Sequence, residues 1–360
     1  MTLERLTLSG WRNLEATSLE PASGLTVVYG QNAQGKTNLL EAVATLITGS
    51  SHRAERDREL IAEGQEETRV VGRFRRASGS FEQSLTLARG GSKERRREGK
   101  RLRIGADPLG DPLAVLFSPE DLLLVQGSSA GRRRFVDREL AQATPGYGTA
   151  LRTYLRIWTQ RNTALRRGES RVVEALDLLW APAATRLSAL RLELVQALAP
   201  LAAAAYQAMA PADPALTLRL EAGTPSLVAE EALAALRRRR AEEEARRITL
   251  LGPHRDDMHL LIGDNELRAY GSQGQQRTAA VALKLAAVQL LEERAGFRPL
   301  LLLDDVLSEL DGRRRDLLAQ QVRQGQTVLT TTEAELLPER LEADRWWEIR
   351  SGRVSERGTP

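Results

Sequence analysis

Residues 24–48 constrain this chain more than any other stretch. Gly24-Leu25-Thr26-Val27-Val28-Tyr29 is a short apolar run ending at a glycine, the pattern of a buried strand. Gly30-Gln31-Asn32-Ala33-Gln34-Gly35-Lys36-Thr37 follows at once and matches the phosphate-binding loop pattern in full. Beyond it, Leu39, Leu40, Val43, Ala44 and Ile47 recur at helical spacing up to Thr48. Strand, glycine loop and helix in that order predict an α/β layer in which loop amides and the helix start face an anion. Gly30 and Gly35 then let the backbone from Gln31 to Gln34 wrap phosphates. Lys36 reaches the β- and γ-phosphates, Thr37 ligates magnesium, and Asn38 completes the nucleotide-binding run. ATP and Mg2+ are the expected cofactors.

A second element complements the loop. Leu300-Leu301-Leu302-Leu303-Asp304-Asp305 reads as a central parallel strand, apolar on both faces, with its acids at the C-terminal end. Ligands sit at that end in open α/β sheets. Asp304 is the candidate for magnesium and Asp305 for polarising the attacking water. Gly271-Ser272-Gln273-Gly274-Gln275-Gln276 precedes a long helical pattern from Arg277 to Arg294, and Ser308-Glu309-Leu310-Asp311 follows the acids. By pattern alone, residues 271–276 are either an ordinary helix cap or a second anion site, serving another phosphate or one held by another subunit.

The rest of the chain alternates in character. Strands dominate the first third, with Val70–Arg75 and Phe81–Leu87 joined by the turn at Ser78-Gly79-Ser80. Helical patterns follow at Arg132–Ala143, Thr149–Arg167, Val172–Trp180, Thr185–Met209 and Val228–Arg247, with Pro182, Pro200, Pro211 and Pro225 as breaks. The last of these carries i,i+4 charge pairs fitting an exposed helix. Strand character returns after Thr249. The expected organisation is an ATPase lobe over 1–129, a helical lobe over 130–248 and the returning ATPase lobe over 249–360. No heptad run long enough for an extended coiled coil is present.

Composition excludes several chemistries. The chain has no cysteine, so disulfides, thiolate metal sites and cysteine nucleophiles are ruled out. Its three histidines, at 52, 254 and 259, do not form a helical zinc pattern. A structural or nucleotide-sensing role suits His254-Arg255-Asp256 better. No export signal opens the chain. The longest near-apolar stretch, Leu194–Ala212, falls short of the ~20 strongly apolar residues of a membrane span. No membrane association and a cytoplasmic setting are therefore expected.

Of the 52 basic side chains only those at 36, 93, 100 and 284 are lysine, so arginine enrichment is chain-wide and only local clusters inform. Three clusters are candidates for phosphate contact. Arg53 and Arg56 interleave with acids. Lys93, Arg95, Arg96, Arg97 and Arg101 belong to a segment, 89–103, of net charge +6. Arg132 and Arg133 begin a helix and either face a phosphate-bearing partner or brace the lobes. Few aromatics accompany them, which favours a duplex surface over a base-stacking one. Backbone contacts of this kind carry little sequence preference.

Together these elements resemble the head domain of the ABC ATPases, a P-loop α/β fold with an inserted helical lobe. Gly30–Thr37 corresponds to Walker A, Leu300–Asp305 to Walker B, residues 271–275 to the signature, and 308–311 to the D-loop. Within that superfamily the chain resembles the RecF family of SMC-like bacterial DNA replication and repair proteins. The resemblance rests on Trp11-Arg12-Asn13-Leu14, Ser51 to Ile61, Ser118-Pro119-Glu120-Asp121, Gly252-Pro253-His254-Arg255-Asp256-Asp257 and residues 303–311. It implies an ATP-dependent homodimer with each ATP sandwiched between one Walker A and the other signature, through Ser272, Gly274 and Gln275. It also implies that Arg12 and Asn13 border the adenine. The implied activity is slow, DNA-stimulated ATP hydrolysis acting as a switch on duplex DNA near gaps, in recombinational repair with RecR and RecO. Asp305 in place of a catalytic glutamate, and Thr330-Thr331-Thr332 where a switch histidine is common, fit slow turnover. Gln273 replaces a signature glycine, and no clear Q-loop glutamine stands out, although Gln126 follows the Pro119-Glu120-Asp121 stretch. Two other readings remain open on residues alone: an ATP-stabilised protein scaffold, and a P-loop small-molecule kinase.

Overall fold

The computed structural model describes residues 1–102, 112–307, 310, 312–332 and 341–358. In chain order its strands are β1 (Thr2–Ser9), β2 (Thr17–Leu19), β3 (Leu25–Tyr29), β4 (Glu67–Arg76), β5 (Gly79–Ala88), β6 (Lys93–Arg97), β7 (Lys100–Arg101), β8 (Ala114–Phe117), β9 (Leu216–Glu221), β10 (Asp257–Ile262), β11 (Asn265–Glu266), β12 (Leu300–Asp304), β13 (Thr327–Thr331), β14 (Arg345–Arg350) and β15 (Arg353–Arg357). The helices are α1 (Lys36–Thr48), α2 (Leu123–Gln126), α3 (Ser129–Arg138), α4 (Tyr147–Arg167), α5 (Ser170–Met209), α6 (Ala229–Arg238), α7 (Arg240–Arg246), α8 (Leu267–Tyr270), α9 (Gln273–Ala295) and α10 (Gly312–Val322).

The central sheet has the order β15-β14-β3-β13-β12-β8. All neighbours from β14 to β8 pair in parallel, and β15 closes one edge antiparallel. Alternation along these apolar strands divides the interior. Val28, Ala114, Leu116, Leu300, Leu302 and Val328 pack towards α1 and the antiparallel sheet β2-β1-β4-β5-β6-β7. Val27, Val115, Phe117, Leu301, Leu303 and Leu329 pack towards the helical layer built on α5 and α9. A strand covered on both sides must be apolar at every position, which is why Leu300–Leu303 reads as a continuous run.

The helical layer departs from expectation at two places. Val172–Trp180 and Thr185–Met209 are one helix, α5, which runs through Pro182 and Pro200 over 40 residues. An internal proline costs about 3 kcal/mol. Here one continuous stripe, including Trp180, Ala184, Leu187, Leu194, Leu198 and Tyr206, is buried along the helix and outweighs that cost. By length and composition α5 is apolar enough to cross a membrane, but its stripe packs on α4, α9 and β9. Val228–Arg247 is two short helices, α6 and α7, and it is not the solvent-crossing rod that its charge pairs suggested. Glu243 is fully buried and accepts from Arg161 Nη2 at 2.6 Å and from Leu250 N at 2.7 Å.

Buried cations tie this layer together. Arg161 on α4 bonds Asp177 of α5, Glu243 of α7 and Thr249. Arg191 on α5 bonds Asp137 of α3 and both the Asp256 carboxylate and the Pro253 carbonyl. Lys284 on α9 meets Glu139 at 2.5 Å and Asp121 at 3.4 Å. A small sheet, β11-β10-β9, crosses the expected boundary at 248, since Asp257 of β10 registers with Glu221 of β9.

Candidate nucleotide site

The C-terminal edge of the central sheet gathers the loop and the acids. Gly30 leaves β3 so close to β14 that a Cβ there would lie 2.4 Å from the Ile349 carbonyl oxygen. Gly35, at φ +118°, caps α1, and a Cβ on it would meet Leu14 at 2.7 Å and Asn13 at 3.1 Å. Both positions require glycine for space, and Gly35 also for its backbone angle. The loop is pinned from outside, where Gln34 accepts Gly352 N through its carbonyl and Ser351 N through its side chain. Lys36 Nζ donates to the carbonyls of Gly30 at 2.6 Å and Gln31 at 2.9 Å. Burial holds its pKa below the ordinary value, while Asp305 and Asp304 pull in the other direction.

Two strands away, β12 delivers the carboxylates. Thr37 Oγ1 donates to Asp304 Oδ1 at 3.0 Å, and Thr330 Oγ1 donates to the same oxygen at 2.7 Å. The threonine of the β13 end thus orients Asp304, a role no motif announced. Strand register accounts for it, since Asp304 lies beside Thr330 in the parallel pair. Asp305 takes a positive φ of +51°, and its amide donates to the Thr330 carbonyl and hydroxyl. A hydroxyl beside a carboxylate at the mouth of a glycine loop is the oxygen-rich donor set that magnesium takes alongside phosphate. The residues present therefore fit both ATP and Mg2+.

Arg12 and Asn13 flank the loop. Arg12 grips Glu41 of α1 with two bonds, at 2.7 and 2.8 Å, and Ser51 completes that carboxylate's shell. Although burial acts to raise the Glu41 pKa, the hydrogen bonds from Arg12 and Ser51 hold it below the usual carboxylate range. Glu41 escaped sequence reading because it interrupts an apolar helix face without any motif. Asn13 accepts from Asn38 Nδ2 at 2.7 Å and donates to the Gln34 carbonyl at 3.4 Å.

The signature run stands elsewhere in the fold. Ser272 caps α9 in a reciprocal box with Gln275, with its side chain accepting from Gln275 N at 3.2 Å. The serine is exposed, and among the described residues no hydrogen bond joins it to the loop at 30–37. Gly274 lends its carbonyl to Arg314 Nη2 at 2.8 Å. Gln126 donates to Gln276 Oε1 at 2.7 Å, so it braces the signature helix. Of the D-loop, Ser308, Glu309 and Asp311 lie outside the described residues. His254 is a structural wedge: it meets Tyr154 Oη at 2.6 Å, lies against Trp158, and burial lowers its pKa to about 4.

The arginine candidates separate clearly. Arg132 is buried and grips both oxygens of Asp257, at 2.7 and 2.9 Å, so it braces α3 on β10 and does not face a ligand. Arg133 donates to the Asp256 carbonyl at 2.6 Å. Arg95 donates to the Leu46 and Ile47 carbonyls at the end of α1, where a cation complements the helix C-terminus. Arg97 bonds Gln83 and lies over the Phe81 ring at 4.9 Å. Arg96 pairs with Glu94, Arg53 reaches Asn38, and Arg56 is exposed. Arg103 lies outside the described residues. Lys93, which also pairs with Asp57 at 3.0 Å, Arg95 and Arg101 nevertheless line one cleft of about 1030 Å³ together with Arg134, Arg138 and Arg152, and among the described residues Asp137 is the one acid lining it. Arg134 and Arg138 are one helical turn apart. Arg134 is about 200° around α3 from the inward Arg132, so one triplet serves two faces.

A parallel sheet with a P-loop, a Walker aspartate pair and a separate signature helix defines a P-loop ATPase head of the ABC and SMC type. A family model described as "AAA domain" matches residues 5–109. The fold is shared with the Smc head domain from Pyrococcus furiosus, at TM-score 0.52 and 14% identity over 98% of this chain and 95% of that one. The chain is 39% identical to the DNA replication and repair protein RecF of Symbiobacterium thermophilum, over 98% of each chain. It superposes on a structure of the recombination mediator protein RecF-ATP in the RecFOR pathway at TM-score 0.91 and 29% identity, covering 99% of this chain and 97% of that one. The chain belongs to the RecF family.

Proposed function

We propose that this protein is an ATP-gated dimeric clamp on duplex DNA that serves recombinational repair at single-strand gaps. It works with RecR and RecO in the cytoplasm, and hydrolyses ATP slowly as a release step. Lys36 and the amides of residues 30–37 hold the phosphates, Thr37 and Asp304 hold magnesium, and Asp305 polarises the attacking water. Bound magnesium supplies charge neutralisation for the phosphate oxygens. We assign residues 1–129 and 249–360 to the ATPase lobe and 130–248 to the helical one, with β10 and α9 packing across that boundary onto β9 and α5.

The observation that carries this reading is the separation of the loop-and-acid edge from the exposed turn at Ser272. Thr37, Asp304 and Thr330 converge on one edge, whereas Ser272 faces solvent apart from them. Because the Ser272 oxygen already accepts from Gln275 N, its O–H remains available to donate to a γ-phosphate from outside. Two chains related by a two-fold axis complete two identical sites. Ser272→Arg sets a bulky cation at that point and should leave ATP bound to the monomer while blocking closure. Analytical ultracentrifugation with Mg2+ and ATP, ADP or a non-hydrolysable analogue tests this. A wild-type dimer with ATP and with the analogue, but not with ADP, is expected, and equal mass in all three nucleotide states refutes the shared site.

The basic cleft is the DNA surface in this reading. Arg134→Glu with Arg152→Glu should weaken duplex affinity at least about tenfold and reduce the salt slope by about 2, one per lost phosphate contact. Arg95 and Arg97 are poor probes because both pack on the ATPase lobe. Duplex titrations at several salt concentrations decide the point; unchanged affinity and slope place the DNA elsewhere.

A further inference from the structure

Tyr270 is the most exposed of the large apolar side chains described, at 76%, in a chain whose aromatic rings are otherwise mostly interior. It closes α8, two residues before Ser272, and Gly271 and Ser272 both take extended backbone angles. Two Cα-to-Cα steps through the extended Gly271 set its Cα about 7 Å from that of Ser272. The segment presenting it is rigid. Gln276 Nε2 bonds the carbonyls of Leu267, Arg268 and Gly271 at 3.1, 3.4 and 3.1 Å, and Gln126 holds Gln276 in turn. A Cβ on residue 271 would come within 2.4 Å of Leu267, so the chain is closely packed beneath the ring. Helix α2 packs on α8, and its first residue, Leu123, is 56% exposed. A phenol left in water on a braced backbone gains nothing for the monomer, since its burial is unrealised.

We propose that Tyr270 is a nucleotide-binding residue acting in trans, its ring lying on the nucleoside of the ATP held by the P-loop of a second copy of this chain. The inference rests on the shared-site reading. With the Ser272 hydroxyl on the terminal phosphate, the extended Tyr270-Gly271-Ser272 run carries the ring past the phosphates to the next part of the ligand. Phosphates offer nothing to an aromatic face, whereas a base or ribose offers an apolar one. Each dimer holds two such rings, so one substitution acts twice across the two-fold axis.

The test uses full-length protein with Mg2+ and the triphosphate of 2-aminopurine riboside, whose emission falls when its base stacks on an aromatic ring. Wild type and Tyr270→Phe should lose emission as protein concentration is raised through the dimerisation range. Tyr270→Ala should not, and its dimer constant, read by sedimentation with ATP, should weaken at least about tenfold. Because the ring is exposed, its removal leaves the monomer fold intact, which a matching urea melt verifies. Wild-type dimerisation constants and quenching in Tyr270→Ala overturn the inference alone. Weakened dimerisation with quenching retained also overturns it, by making the ring a protein contact. If wild type itself fails to dimerise with ATP, the shared-site reading falls first.

Discussion

Lys36→Met should lower ATP affinity by at least about a hundredfold, equivalent to about 2.7 kcal/mol, with little change in thermal stability. The ammonium is the one cation of residues 30–37, and it is already drawn into the loop by the Gly30 and Gln31 carbonyls. A phosphate oxygen that replaces those carbonyls gains a charge-assisted bond in a partly desolvated place, stronger than a neutral one. Methionine keeps the length and the apolar stem but forfeits that bond. Isothermal calorimetry with ATP and Mg2+ reads the loss directly, and a thermal melt excludes misfolding as its cause. Affinity within a few-fold of wild type would remove Lys36 from the site. ATP-driven dimerisation should vanish with it, because a monomer without nucleotide has nothing for Ser272 to close upon.

Arg161→Met should cost about 3–5 kcal/mol of folding stability, the range expected when one partner of a buried ion cluster is deleted. Arg161, Asp177 and Glu243 are all essentially inaccessible to water. The guanidinium satisfies three acceptors at once: Asp177 Oδ1 at 2.8 Å, Thr249 Oγ1 at 2.8 Å and Glu243 Oε2 at 2.6 Å. Removing it strands carboxylate charge in the interior; Arg240 still reaches Asp177, but Glu243 retains only the Leu250 amide. Adding Asp177→Asn and Glu243→Gln to Arg161→Met should recover part of the loss, since neutral amides are cheaper to bury than charges. Urea melts followed by circular dichroism provide the measurement. An unchanged midpoint for Arg161→Met would mean that this cluster contributes nothing to stability.

The ATPase site was legible in the sequence to an unusual degree because its chemistry is local. A glycine-rich loop must follow a strand and open a helix, so Gly30 to Thr37 declare their geometry within eight residues. The apolar run at 300–303 likewise announces a strand covered on both sides. Arginine roles were far less legible. Arg132, Arg133 and Arg134 are indistinguishable as letters, yet helical rotation sends the first to Asp257 and the third to an open cleft. The prolines at 182 and 200 misled for a related reason: a local rule predicts breaks, and burial of a long apolar stripe overrides it.

What the sequence alone determined, then, is the chemistry of short-range patterns: the phosphate loop, the acid-ended strand and the exclusion of thiol chemistry. Each follows from backbone angles or side-chain identity within a few residues. Only the tertiary structure decided what depends on contacts between separate elements, from 16 to 267 residues apart in the chain. Sheet order sets Thr330 beside Asp304 and brings Thr37 to the same oxygen. Packing gives Glu41 its partner in Arg12 and sends Arg161 into the core. It also leaves Tyr270 exposed on a rigid turn. Such pairings are set by how layers stack and which helix face turns inward, and no local spacing encodes either.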